Sequence, residues 1–283
     1  MPTQQKVKEA IQEVIRLMMD KVMNKVLVED PFIKENHRAT KPLYAALVPD
    51  EIFKGSHFER RFVTPFGSAW ERLAVVAAQV GLLGYGVAGQ TINGRINAER
   101  LRRIQQVLND LEHAAGRGEE RKRPDWETEL RFVLEGSSRK VLPTTVICDV
   151  YAEDRRNPKK VKRYAFELKA PLPNSDQTKV SKEKILKLYS MDPPPVDDAF
   201  YALPYNPYGR REDYNWAFPA RWFNMSRDRV VLIGDEFWEK IGGRGTYQAF
   251  IQAVDEIGPR YKERIYREFL GIEPPGPADE THL

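Results

Sequence analysis

Apolar residues near the start of the chain recur at Val7, Ile11, Val14, Ile15, Met18, Val22, Met23 and Val26, separated by Lys, Glu and Gln. That spacing is one face of a long amphipathic helix. Pro31, Pro42, Pro49, Gly55 and Pro65 then punctuate residues 29–66, which read as irregular. A second helix is expected to open at Gly67 and run to about Leu83. Its body, LAVVAAQVGLL, is apolar on all sides and belongs in the interior. A third covers about 98–113, with Arg100, Arg102 and Arg103 facing solvent or a partner, and stops at Gly116-Arg117-Gly118.

The segment GRGEERKR at 116–123 reads as a charged linker, and Pro124-Asp125 starts a short helix to about Glu135. The period then changes. Residues 144–169 are rich in Val, Ile, Tyr and Phe around the polar insert DRRNPKK, which predicts a hairpin. Helical spacing returns over 177–189 with four lysines on the remaining face. Strands are expected at 199–203 and 230–233, helices at 236–241 and 247–269, and a disordered tail, GIEPPGPADETHL. The prediction is an α/β fold: a central mixed β-sheet flanked by helices, with a largely helical N-terminal region. One domain is expected to take in a helical region 1–123, a core 124–243, a C-terminal helix 244–270 and a tail 271–283.

With 283 residues and 41% hydrophobic content the chain can bury a substantial core, which excludes disorder throughout. The 45 Lys and Arg against 41 Asp and Glu leave a net charge of +4, too mild to prove a polyanionic partner, so local clustering must carry that argument. The one cysteine, Cys148, sits in an apolar stretch; it reads as core filler and suits a reducing cytoplasm. No leader-like apolar region and no run of about 18 apolar residues stands in the sequence, so a soluble, cytoplasmic protein is expected.

If TTVICDVYAE pairs antiparallel with VKRYAFELK so that Asp149 lies opposite Glu167, alternation sorts every side chain. Cys148, Val150, Ala152, Tyr164, Phe166 and Leu168 make a core face; Asp149, Tyr151, Glu153, Arg163, Ala165, Glu167 and Lys169 make a charged one. Glu153 then faces Arg163 as a cross-strand ion pair. Two adjacent carboxylates destabilise the sheet unless a cation or proton joins them. Oxygen donors alone suit a hard cation such as Mg²⁺, held by Asp149, Glu167 and the Leu168 carbonyl, with Lys169 positioning or deprotonating a water. Together they make a device for phosphodiester hydrolysis.

Asp149, Glu167 and Lys169, spaced D-x17-E-x-K before a lysine-rich helix, resemble the PD-(D/E)XK nuclease superfamily. KGSHFERRFVTPFGSAWERLA at 54–74, FELKAPLPN at 166–174, ALPYNPYG at 202–209 and VVLIGDEFWEKIGG at 230–243 resemble type II restriction endonucleases, in particular the TdeIII-type group. Cys148 stands where the proline of the motif name would be. The resemblance implies Mg²⁺-dependent, sequence-specific cleavage of double-stranded DNA, with a short GC-rich palindrome of the GGNCC kind as the site. It also implies a helix-borne auxiliary acid, for which Glu71 is the first candidate and Glu129 the second, and a prokaryotic DNA methyltransferase as companion. A duplex palindrome is most simply cut by a two-fold homodimer.

For DNA contacts, Lys179, Lys182, Lys184 and Lys187 follow the active strand, and the loop 205–222 offers Arg210, Arg211, Arg221, Asn206 and Asn215. Arginine reads guanine bidentately and asparagine reads adenine. The aromatics of that loop, Tyr205, Trp216 and Trp222, equally suit packing. Gly84-Tyr85-Gly86-Val87-Ala88-Gly89 fits G-x-G-x-x-G, but a dinucleotide fingerprint needs a strand before it, and here a helix precedes. These glycines read as a turn. Two other readings are weighed: a structure-specific or repair nuclease of the same superfamily, without a fixed cleavage sequence, and a non-enzymatic DNA-binding protein, indifferent to loss of Asp149.

Overall fold

In the computed structural model, which describes residues 2–114 and 120–276, the first apolar stripe forms α1 (Pro2–Asn24), extended by a π-helical turn at Lys25–Glu29. Then follow α2 (Lys34–Thr40), α3 (Pro42–Leu47), α4 (Asp50–Gly81), β1 (Gly86–Asn97), α5 (Ala98–Glu112) and α6 (Trp126–Leu134). The second half contains β2 (Val141–Asp154), β3 (Lys162–Leu168), α7 (Ser175–Ser190), β4 (Asp198–Leu203), α8 (Ala217–Ala220), β5 (Val231–Ile233), α9 (Asp235–Gly242) and α10 (Thr246–Arg264). Residues 115–119 of the expected linker and 277–283 of the expected tail lie outside the described residues.

The chain divides into two compact units, Met1–Val7 with Ala74–Tyr247, and Lys8–Leu73 with Gln248–Leu283. The division falls within α1, α4 and α10. In the second unit, residues 29–66 are mostly helical, contrary to the irregular segment predicted. Phe58, Phe62, Phe66 and Trp70 stand four residues apart along α4 and meet in succession, with ring centroids 6.1, 5.1 and 5.0 Å apart. The helix continues through Pro65, and this row of i,i+4 aromatic contacts runs on both sides of it. Within the same unit, Tyr261 of α10 donates to Asp20 of α1 at 2.8 Å, and Lys8 pairs with Glu256 at 2.7 Å.

The first unit is built on one five-stranded mixed sheet, ordered β1-β2-β3-β4-β5, antiparallel across the first three strands and parallel across the last three. The expected strands at 199–203 and 230–233 are β4 and β5. β1 was not expected: the glycine run opens a twelve-residue strand and is no simple turn. Its glycines serve close packing. A Cβ at Gly84 would lie 1.8 Å from the Glu153 carbonyl oxygen, and Gly89 has φ +65°, a conformation that side chains resist.

The hairpin adopts the predicted register, with Val150 opposite Phe166 and Glu153 opposite Arg163. Glu153 nonetheless forms its ion pair with Arg155 at 2.6 Å, two residues along its own strand. Nor is the charged face an open one. Tyr164, Ala165, Phe166 and Glu167 are all buried. The parallel connection from β3 to β4 requires a crossover, and α7 makes it by packing against β2 and β4. On the opposite face Phe166 stacks on Phe200 and meets Phe237 of α9.

Candidate active site

Asp149 and Glu167 stand one residue beyond the last pair of the β2–β3 ladder, Val150 opposite Phe166. There the backbone ladder gives way to side chains: the Leu168 N–H donates to Asp149 Oδ2 at 2.8 Å. Pro171 and Pro173 then stop β3 from running on. The Lys169 N–H donates to the Ala202 carbonyl of β4, so the lysine is held at the strand's end.

Lys169 Nζ lies 2.6 Å from Asp149 Oδ2, 3.1 Å from the Leu168 carbonyl oxygen and 3.6 Å from Glu167 Oε2. The three oxygens predicted to hold a metal therefore converge on one point, and a cationic nitrogen sits at it. Oxygen donors of this kind suit a hard cation. Among the described residues no three His, Cys, Asp or Glu side chains cluster as metal ligands, and the expected donors are two carboxylates and one backbone oxygen.

Glu167 is 1% exposed, and Lys184 of α7 reaches it with Nζ 3.0 Å from each carboxylate oxygen. Burial, aided by the Asp149 charge, pushes its pKa up to about 7 despite both lysines. Cys148 is buried with its thiol pushed up to about 12, chiefly by burial, which fits core filler and excludes a thiolate nucleophile.

The other predicted residues divide. All four lysines of α7 are ion-paired: Lys179 with Glu112, Lys182 with Glu129, Lys184 with Glu167 and Lys187 with Glu183. Lys182 is fully buried and also donates to the Trp222 carbonyl, so it is a structural residue and not a phosphate contact. The same pair accounts for Glu129. Glu71 lies on α4 in the second unit, outside the unit that contains the three strand residues. Arg211 donates to Glu236 at 2.8 Å and to the Met225 and Asp228 carbonyls. Arg210 is exposed and pairs with Asp213, three residues on, at 3.1 Å. Asn206 Oδ1 accepts from the Tyr208 N–H and shapes a turn. Arg221 lines a groove of about 960 Å³ together with Arg121, Arg123 and Phe218.

The loop carrying these residues is fastened to the segment that follows β3. Tyr214 Oη donates to the Pro171 carbonyl at 2.7 Å, Trp216 Nε1 to the Pro173 carbonyl at 2.9 Å and Trp222 Nε1 to Ser175 Oγ at 3.0 Å. Trp216 and Trp222 are thus packing residues. Sequence reasoning placed Lys184 on a DNA-facing helix surface. The available signal was the crossover itself, since a helix directly following a buried strand lies back over that strand.

The mixed sheet thus brings an acidic pair and a lysine together at one strand end. The family described as "Type II restriction endonuclease, HinfI" matches residues 7–258, so the chain belongs to the HinfI family of type II restriction endonucleases. It is similar to three type II restriction enzymes of Herpetosiphon aurantiacus. These are HgiBI (26% identical, 81% of each chain covered), HgiEI (27%, 81% of each) and HgiCII (24%, 81% of this chain and 82% of the relative). The protein is therefore a site-specific deoxyribonuclease acting on double-stranded DNA, of a class that uses divalent metal ions. No helix among the described residues is long and apolar enough to cross a membrane.

Proposed function

We propose that the protein cuts both strands of DNA at a short specific sequence by Mg²⁺-dependent hydrolysis of the phosphodiester bond. The supporting observation is the convergence of Asp149 Oδ2, the Leu168 carbonyl oxygen and Glu167 Oε2 on the Lys169 ammonium. A divalent cation, when bound by those oxygens, supplies Lewis-acid polarisation of the phosphate and acidifies a bound water. Asp149 and Glu167 hold the charge of the site fixed, and Lys169 Nζ orients the attacking water. The water oxygen forms the new bond to phosphorus, one ester P–O bond breaks, and the departing oxygen takes up a proton. Glu71 is the proposed auxiliary acid.

Lys179, Arg210, Arg221 and Asn206 remain the proposed DNA contacts; Lys182 and Arg211 leave that set. The working unit is a two-fold homodimer, one site per strand. Its target is a GC-rich palindrome such as GGNCC, and a DNA methyltransferase protects the host's own sites. The test is incubation with plasmid DNA in Mg²⁺ or EDTA, beside Lys169→Ala. Discrete Mg²⁺-dependent fragments, absent from the variant, are expected. Fragments without fixed ends would overturn sequence specificity in favour of a structure-specific nuclease, and no cleavage in any divalent metal would overturn the metal site.

A further inference from the structure

Resting on the metal-site reading above and deepening it, we propose that Lys184 is a resident counter-cation of the active site that keeps metal binding weak until DNA arrives. Cation and substrate would then load together.

Lys184 Nζ lies 3.0 Å from both oxygens of Glu167, a side chain sealed from solvent, so the ammonium takes the place of hydrating water at each. On the other side Lys169 Nζ sits 2.6 Å from Asp149. Two carboxylates thus face two ammoniums, and the cluster is neutral with nothing bound. The remaining α7 lysines do not share this duty, since their acidic partners are Glu112, Glu129 and Glu183.

Neutrality has a direct effect on loading. A divalent ion entering a neutral cluster of low local dielectric meets no net attraction, and one of its ligands has both oxygens already engaged in charge-assisted hydrogen bonds. A phosphodiester changes this by bringing negative charge to the site. The side chain of Lys184 is 27% exposed, so unlike the sealed Lys182 it can swing from Glu167 toward that charge and release the carboxylate. The lysine then serves Glu167 before DNA binds and the phosphate afterwards. It is a positioning residue for Glu167.

The experiment is calorimetric titration of Mg²⁺ and Mn²⁺ into the DNA-free protein at pH 8, comparing wild type with Lys184→Met, Lys184→Arg and Glu167→Gln. Lys184→Met is expected to bind metal at least tenfold more tightly than wild type, and Lys184→Arg to bind as weakly as wild type. Thermal melts confirm folding, and Lys184→Gln replaces the methionine variant if that one melts early. Equal or weaker metal binding by the folded, lysine-free variant would overturn the proposal. Glu167→Gln tests the underlying reading separately: it is expected to lose binding in both backgrounds. Unchanged binding there would overturn the metal site itself, whatever Lys184 does.

Discussion

Lys182 and Lys184 stand two residues apart on α7, and each meets a glutamate, half-buried Glu129 for the first and buried Glu167 for the second, yet the two pairs have different surroundings. Lys182 is fully enclosed; Glu129 and the Trp222 carbonyl accept its hydrogen bonds, and the Phe223 ring lies 4.9 Å beneath it. Burial drives Glu129 up and Lys182 down in pKa, both toward neutrality, with the Asp228 charge acting on both as a smaller influence. Glu167 instead has Asp149 beside it, and Asp149 and Lys169 remain about one-fifth exposed. A closed one-to-one pair has nowhere to send a charge and acts as a structural peg. An open two-to-two cluster can exchange its cations, and chemistry needs that exchange.

The largest effect expected from this contrast is on cleavage. Glu167→Gln or Lys169→Ala should lower plasmid cleavage by on the order of 10³-fold, with DNA retention in a band-shift assay preserved. Lys182→Met, assayed where it is folded, should still cut. Equal loss in a folded Lys182 variant would erase the distinction between the pairs.

Stability should show the reverse ranking. Removing one partner of a buried pair costs about 3–5 kcal/mol, so Lys182→Met should shift the denaturation midpoint far more than Lys169→Ala. The double variant Glu129→Gln/Lys182→Met should recover much of that loss.

A smaller, pH-dependent effect follows from Glu167. Its folded pKa, about 7, lies above the ordinary carboxylate value of 4.5, so the folded state holds its proton more tightly than the unfolded state. Stability from this group is therefore present below about pH 4.5 and is lost as pH rises through 7. In EDTA, Glu167→Gln should melt above wild type at pH 8, by on the order of 3 kcal/mol at most, and the difference should vanish near pH 4.5. An advantage that persists at low pH would deny the carboxylate this role.

The smallest effects separate neighbouring arginines. Arg210→Ala should leave stability within about 0.5 kcal/mol while weakening DNA binding. Arg211→Ala should lower stability by about 1.5–3 kcal/mol, because its partners are buried carbonyls and Glu236.

The hairpin and its register were legible because alternation over 148–153 and 163–168 admits one pairing that keeps apolar residues together. The acidic pair and Lys169 came with that register. The covered second face was not legible: Ala165 and Glu167 alternate like a surface, and only the parallel neighbour β4 with its crossover reveals the roof. β1 was hidden by its glycines, which look like turn formers until the close approach to Glu153 is seen. In α4 the four-residue spacing of Phe58, Phe62, Phe66 and Trp70 was present in the sequence but masked by Pro65 and Gly67. The lysines of α7 were misjudged together, because a helix wheel separates polar from apolar positions and cannot tell a solvated lysine from one with a buried acid opposite.

The fastening of the 205–222 loop has a consequence for how such an enzyme changes its target. Tyr214 and Trp216 grip two carbonyl oxygens of the segment after Lys169, a feature that any residue at those positions supplies. Between them Asn215 projects outward, exposed and without a hydrogen bond to the described residues. Under the proposed reading of this loop as a DNA contact, the outward residues can diversify while the aromatic anchors hold the loop in place beside Lys169. New preferences would then be reachable by single substitutions, without rebuilding the end of the sheet that carries Asp149, Glu167 and Lys169.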